Sequence, residues 1–588
     1  MEKWIVRGGR SIPYMERFHL HPLVARILAG RIPLEQTADF LNKSKPFFDP
    51  WLMADMKKAV DLLQYHLEKG SSITIVGDYD VDGLTSTAIL YRGLKPLLKS
   101  GGNLNYRIPE RIGEGYGFSL SIAKELVQQS VELVITCDNG IREMESAGYL
   151  QEQGIDFIVT DHHEIQQTIE GADILPPASS VINPHRQSDQ SPQKLICGAA
   201  VAFQVIRALY SLYEKTPPSE LIGYAALGTI CDVMPLVEEN RRLVTQGLEQ
   251  MNHQPTPGIA ALMEAGSIDT VDTYAAGYVI GPMLNAGGRL GSQNHFMEVL
   301  LSEDHECCQT LAKELFDLNR ERQNLTEDGI RQGDEQVEDS LKNDKVLVVY
   351  LPTVHESIAG LVAGKIKEKY HKPTFVITKA EHGLKGSGRS ISVYHMFHEM
   401  AKVAERYPQL YSKYGGHAAA AGFSLVAEPG QEEEVVQLFR KALNEQVTLT
   451  EEEMAKRVYI DATMPLSQVT LELMQQIEDL GPFGTGNPRP LLAQKDLKLR
   501  RCRFLGAKRN ALKLLLEYEH EAVEAVCFTV SMVERIMEGD AKQMQEFYDG
   551  KYFSKPIAVD VVYQPQIDTY MGRVKVKWQI KHIRRSER

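Results

Sequence analysis

Three short runs, SSITIV (71–76), VELVITC (131–137) and IDFIVT (155–160), constrain the fold of this 588-residue chain more than any other feature. Each is apolar and β-branched, and each is too short for a helix. That is the pattern of a strand buried on both faces of a parallel sheet. Helical segments, SLSIAKELVQQS and REMESAGYLQEQG, separate them. Strands alternating with helices predict βαβ units and a doubly wound parallel sheet.

Each of these strands ends in acidic or imidazole side chains. The first runs into GDYDVDG, with Asp78, Asp80 and Asp82, and the second into CDNG, with Asp138. The third runs into TDHHE, with Asp161, His162 and His163, and a later helix ends in CDVMPL, with Asp232. Taken singly, Asp-Gly and Asn-Gly are ordinary turns, and Asp232 is an ordinary cap. Together they fall where an open parallel sheet binds its ligands, beyond the carboxyl ends of the strands. Carboxylates with a minority of imidazoles suit Mg²⁺ or Mn²⁺. Two such ions sharing a carboxylate are the usual device for in-line attack on phosphorus.

The rest of the chain divides by texture. Residues 1–60 read as a helical segment and 61–250 as the metal-binding α/β domain. Residues 251–340 read as a helical connector, with 304–340 a long polar, solvated helix or two shorter ones. A second α/β domain follows over 341–455, and 456–588, rich in short alternating runs, reads as a small antiparallel barrel. Net charge is −13, yet 495–513 carries eight Lys/Arg against one acid, and 572–588 seven against one. Basic strips on an acidic protein suit a polyanion. Trp578 and Tyr563 are candidate stacking residues or barrel core. Seven scattered cysteines without a C-x-x-C pair suggest a reducing, cytoplasmic setting rather than a disulfide framework or a zinc ribbon. Cys137 and Cys231, beside ligand candidates, read as small buried residues. No apolar run approaches the roughly 20 residues of a membrane span, and the N-terminus has no signal-peptide core.

The series DYDVDG, CDNG, TDHH and CDVMPL resembles the motifs of the DHH phosphoesterase superfamily, and Gly415-Gly416-His417 resembles the signature of its DHH-associated domain. Further segments resemble the RecJ-like single-strand exonucleases: Pro109-x-Arg111 with Glu114-Gly-Tyr-Gly117, ICGAAVAFQ (196–204), NAGGRLG (285–291), KGSGRS (385–390) and GPFGTGNPRP (481–490). The resemblance spans about residues 20 to 580. It implies a metal-bearing DHH domain facing the DHH-associated domain across a cleft, and an OB-like C-terminal barrel that grips the strand. It implies a 5′→3′ exonuclease that degrades single-stranded DNA to 5′-mononucleotides with Mn²⁺ or Mg²⁺, in repair and recombination, as a monomer served by a helicase and a single-strand-binding protein.

By the same resemblance Asp80 and Asp82 each favour one ion, Asp138 bridges, His162 and Asp232 complete the second site, and Asp78 either completes the first or supports its neighbours. Asp161, His163 and His417 fall to catalysis. Arg111, Asn285, Arg289, Ser387, Arg389, Gly415 and Gly416, again with His417, fall to substrate binding. Relatives carry an arginine where this chain has Met283, and Trp-His-x-Gly where it has Val354-His355-Glu356-Ser357, so a cationic phosphate contact is expected to be missing. Two other readings remain open: a DHH phosphodiesterase of short oligonucleotides or cyclic dinucleotides, and a non-catalytic single-strand-binding scaffold.

Overall fold

The computed structural model describes residues 2–110, 114, 117–290, 293–380, 383–506, 508–568 and 574–586. Arg111 lies outside them. The chain opens with a strand where the sequence suggested only helices. This strand, β1 (Glu2–Val6), pairs in parallel with β12 (Lys456–Ile460), far away in sequence. The helices that follow β1 are amphipathic. They bury Leu23, Val24, Ile27, Leu28 and Phe40 in the same core as the C-terminal barrel. The N-terminal segment is therefore part of the third domain's packing.

The first α/β domain is a parallel sheet of β2 (Ser72–Val76), β3 (Asn103–Arg107), β4 (Leu133–Cys137), β5 (Asp156–Thr160) and β6 (Ser180–Ile182), in the order β3-β2-β4-β5-β6. Alternating side chains feed two layers. Ile73, Ile75, Leu133, Ile135 and Ile158 meet helices that include Val81–Leu94, Gly198–Leu212 and Leu221–Cys231. Val76, Val134, Phe157 and Val159 meet the helices Leu120–Gln128 and Met144–Glu152. Strand order reverses between β2 and β4. Their register sets Val76 opposite Thr136, and Cys137 stands opposite Thr160 on β5. The residues that follow these strands are thereby brought side by side.

Helices from 257 onward continue this core as far as Leu315. The polar stretch after 304 is one helix, His305–Gln336, of 32 residues. At about 1.5 Å per residue it is about 48 Å long. It is not a solvated connector throughout. Its first turns bury Cys308, Leu311 and Leu315 in the first domain, and Gly329 and Gly333 pack against Val362 and Ile366 of the second. That second domain has the sheet β10-β11-β9-β8-β7, from β7 (Leu347–Tyr350), β8 (Thr374–Lys379), β9 (Leu384–Arg389), β10 (Tyr411–Gly416) and β11 (Ala420–Leu425), with only β7 and β8 parallel.

The C-terminal barrel is closed. After β13 (Ala462–Thr463), the strands β14 (Leu492–Leu505), β15 (Ala511–Tyr518), β16 (Glu521–Cys527), β17 (Tyr552–Asp568) and β18 (Lys575–Arg585) run in the order β14-β15-β16-β18-β17, and β17 returns to pair with β14. The barrel is not wholly antiparallel, because β16 and β18 pair in parallel. Closure removes the exposed sheet edges that a small β-domain would otherwise present.

Candidate metal centre

Helix N-termini organise the acidic cluster. Asp80 caps the helix Val81–Leu94, its Oδ1 accepting from the N–H groups of Asp82 at 2.9 Å and Gly83 at 3.1 Å. An extended DYDVD would face 78, 80 and 82 one way. Instead the helix has already begun at Val81, and Asp82 sits in its first turn. Its carboxylate faces a second helix start, accepting from Gly198 N at 2.6 Å and Ala199 N at 2.8 Å. A helix N-terminus carries partial positive charge and free N–H groups, so it is a natural anchor for a carboxylate. Glycine is required at 198, where a Cβ would lie 2.7 Å from Cβ of Asp138. ICGAAVAFQ gave no hint of this clamp, since nothing in one segment says which carboxylate its helix end will meet.

Asp138 leaves β4 in the left-handed region, at φ 61°, a conformation aspartate tolerates. Asp232 closes the helix Leu221–Cys231. Three sets of donors result: Asp78, Asp80 and Asp138; Asp82, His162 and Asp232; and Asp138, His162 and His163. Within each set one donor atom per residue lies within 4.8 Å of the others. His162 Nε2 is 3.0 Å from Asp138 Oδ1, 3.6 Å from Asp82 Oδ2 and 3.7 Å from Asp232 Oδ2.

Burial, then repulsion from Asp82, Asp80, Asp78 and Asp161, pushes the Asp138 carboxyl well above its ordinary range. Burial with Asp82 and Asp80 pushes Asp232 up to about 8, and burial with Asp82 raises Asp80. Burial also pulls His162 below the usual imidazole value, which keeps the ring neutral, the form that ligates a metal. Asp232 Oδ2 is buried and makes no hydrogen bond among the described residues. This donor set, short of positive charge and rich in hard oxygen, fits Mn²⁺ or Mg²⁺. Cys137 is buried in the core, and burial pushes up both its thiol and that of Cys231.

Asp161 stands apart from the three sets. Its Oδ1 accepts from the backbone N–H groups of His162 and His163 and from His163 Nδ1 at 2.7 Å, and its Oδ2 accepts from Ile141 N. Burial opposes its charge, but the His163 bond and the two imidazoles bring it to about 2. His163 moves the other way, to about 9, because the bond to Asp161 outweighs burial. Asp161 thus orients the paired histidines.

A cavity of about 740 Å³ opens between the domains. Tyr79, between Asp78 and Asp80, lines one side, and Ser387, Lys413, Gly415 and Gly416 line the other. Arg389 Nη1 donates to Ser387 Oγ at 3.0 Å. Arg289, on the helix Gly281–Leu290 with Asn285, donates to the carbonyl of Ser357, itself in the cavity wall. His417 is exposed in the turn joining β10 to β11, its N–H on Ala420 O at 2.8 Å, and it does not line the cavity. Met283 is fully buried in the first core, so its side chain offers no phosphate contact.

The barrel spends part of its basic strips internally. Arg500 pairs with Glu517, Lys513 with Glu524 and Arg584 with Asp560. Tyr563 is fully buried, its hydroxyl donating to Met464 O at 2.8 Å, so it is core and not a stacking residue. Trp578 is partly buried against the same core.

Family models match three parts of the chain: the DHH family N-terminal domain over 72–229, the DHHA1 domain over 343–448 and the RecJ OB domain over 460–582. The single-stranded-DNA-specific exonuclease RecJ of Haemophilus influenzae is 32% identical over 553 residues, covering 90% of this chain and 93% of that protein. The protein of the same name from Escherichia coli is 33% identical over 523 residues, covering 85% and 87%. Among solved structures, RecJ in complex with Mn²⁺ from Thermus thermophilus superposes with a TM-score of 0.80 at 26% identity, covering 100% of this chain and 80% of that one. With identity of this order over nearly the full length of both chains, the protein belongs to the RecJ family of the DHH phosphoesterases.

Proposed function

We propose that this protein is a metal-dependent 5′→3′ exonuclease that hydrolyses single-stranded DNA to 5′-mononucleotides in repair and recombination. The observation that carries this reading is the trio of overlapping donor sets, built from aspartates and the two histidines and each drawn together within 4.8 Å, at the strand-order reversal of the first sheet. Asp78, Asp80 and Asp138 would hold one ion, and Asp82, His162 and Asp232 the other. Asp138, whose Oδ1 lies 3.0 Å from His162 Nε2, would be the carboxylate within reach of both. Two bound divalent ions supply a hydroxide nucleophile near neutral pH and neutralise charge on the phosphate.

The chain's own residues bind and orient the strand. Asp161 fixes Nδ1 of a charged His163, which leaves Nε2–H to donate to a phosphate oxygen. Ser387 and the Gly415-Gly416 edge receive the strand from the second domain. His417, one residue beyond that wall, reaches the substrate phosphate with Arg389 from the second domain. Arg289 and Arg111 recognise the 5′ end or the backbone, and Asn285 adds to substrate binding. The barrel's cations hold the 3′ continuation of the strand, a contact spread over many phosphates.

The protein works in the cytoplasm as a monomer, on strands exposed by a helicase and handed over by a single-strand-binding protein. Its seven cysteines are all free, and among the described residues no helix is long and apolar enough to cross a membrane. The test is digestion of oligonucleotides blocked at one end, with Mn²⁺ or Mg²⁺, on matched DNA and RNA. A 5′ block should stop degradation. Arrest by a 3′ block alone would reverse the polarity, and inactivity with either ion would remove the enzyme reading.

A further inference from the structure

GPFGTGNPRP (481–490) carries no group suited to chemistry, yet it touches the metal centre's scaffold from a different domain. The segment precedes β14 and is tied to itself. Gly484 and Asn487 exchange backbone hydrogen bonds at 2.9 and 3.2 Å, and the buried Asn487 amide donates to Leu480 O and Pro482 O, both at 2.9 Å. Two bonds leave it for the catalytic side of the molecule. Leu236 N donates to Thr485 O at 2.7 Å, and Thr273 Oγ1 donates to Phe483 O at 2.8 Å.

Leu236 stands four residues after Asp232. Between them Val233 takes φ 58° with its side chain exposed. A β-branched residue in the left-handed region is sterically disfavoured, and such a conformation persists only where its surroundings enforce it. On one side the turn is fixed by Asp232 N on Gly228 O at 2.9 Å and Met234 N on Thr229 O at 3.1 Å. On the other side stands the glycine loop, and it leaves no room for movement. A Cβ at 484 would lie 2.7 Å from Leu236 Cδ1, and one at 486 would lie 3.1 Å from Pro235 Cβ.

We propose that the Gly484–Gly486 segment of the barrel domain is a positioning element for Asp232, locking the strained turn that aims this carboxylate into the metal centre. The inference rests on the reading of Asp232 as a metal ligand. It gives the third domain a second task beside holding the strand: the fit between barrel and catalytic domain sets how well one of the two ions is held.

The test uses the full chain, titrated with Mn²⁺ by calorimetry and assayed on a single-stranded oligonucleotide. Gly484→Ala should weaken one of the two Mn²⁺ binding events about tenfold, the usual cost of disturbing a ligand's support. It should lower kcat and leave the oligonucleotide KM unchanged. Adding Leu236→Val, which removes the atom a Cβ would strike, should restore the lost affinity. Gly148→Ala, on the helix Met144–Glu152 with no described atom within 4 Å of the added Cβ, should change neither quantity. Should Gly484→Ala melt below the assay temperature, Leu236→Ala, which removes the side chain packed against Gly484 without a clash, carries the same expectation of weakened Mn²⁺ binding. The brace is overturned if Gly484→Ala binds Mn²⁺ like wild type while Asp232→Asn has lost one ion. It is also overturned if the second substitution fails to restore binding. Asp232→Asn retaining both ions would instead remove the metal assignment itself.

Discussion

Two regions of this molecule bury aspartates and treat them in opposite ways. Where the N-terminal segment meets the barrel, Asp461 is almost wholly buried and fully answered. Arg31 grips both its oxygens at 2.7 Å, Arg7 stands 3.6 Å away and Leu491 N donates at 3.0 Å. At the sheet edge, Asp78, Asp82 and Asp138 are just as deep, but they face one another and two histidines. Among the described residues, the three donor sets consist of aspartates and histidines alone. A buried carboxylate gripped by an arginine belongs to the architecture. A group of carboxylates turned toward one another is a receptor for cations.

Removing one carboxylate from each region should break the comparison in different currencies. Asp138→Ala should bring turnover to background while strand binding, followed by fluorescence anisotropy, survives, because binding is distributed over many phosphates. Activity within a few-fold of wild type would mean that Asp138 is not shared. Asp461→Ala should cost about 3–5 kcal/mol of stability by leaving Arg31 buried and uncompensated, read by urea unfolding. Replacing Arg31 and Asp461 together with apolar residues of similar volume should cost far less.

Supplying divalent cations sharpens the contrast. Mn²⁺ at about 100 times its Kd should stabilise the first domain by about 2.7 kcal/mol per site, seen as a rise in Tm over the chelated protein. Asp82→Asn should lose most of that gain. A Tm that ignores Mn²⁺ in the wild type would end the receptor view.

The smallest effect is expected at the barrel's edge. Glu2 accepts from His582 at 2.9 Å. Burial opposes the Glu2 charge, but the His582 bond holds its carboxyl at about 2 against an ordinary 4.5. A depressed carboxyl stabilises the fold above its unfolded value and loses that contribution as pH falls through the folded one. The β1–β12 pairing should therefore loosen between about pH 4.5 and 2. Glu2→Gln should remove this dependence at a cost under about 1 kcal/mol, the pair being partly solvated. Hydrogen exchange of β1 amides reads both.

What the sequence revealed and what it hid have physical causes. β2, β4 and β5 were legible because both faces are buried, which forces continuous apolar runs. β3, an edge strand reading NLNYR, and β6, three residues long, carry no such signature. The acidic clusters were legible because turn residues and ligands share short segments. The Gly198–Ala199 clamp, the β1–β12 pairing and the contact of Gly484 with Leu236 were not, since each joins segments far apart in the chain. Tyr563 shows the converse limit: alternation places a residue on one of two faces, and only closure of the barrel decides which is inside.

The helix His305–Gln336 has a consequence for how such a chain can change over time. It is anchored at both ends in different domains, so it acts as a gauge block between the two walls of the cavity. Substitutions on its exposed sides leave that spacing alone. A single inserted residue would lengthen it by about 1.5 Å and turn everything beyond by about 100°, swinging Ser387 and Gly415 away from Tyr79. The length of this helix, more than its composition, is what sets the gape of the molecule.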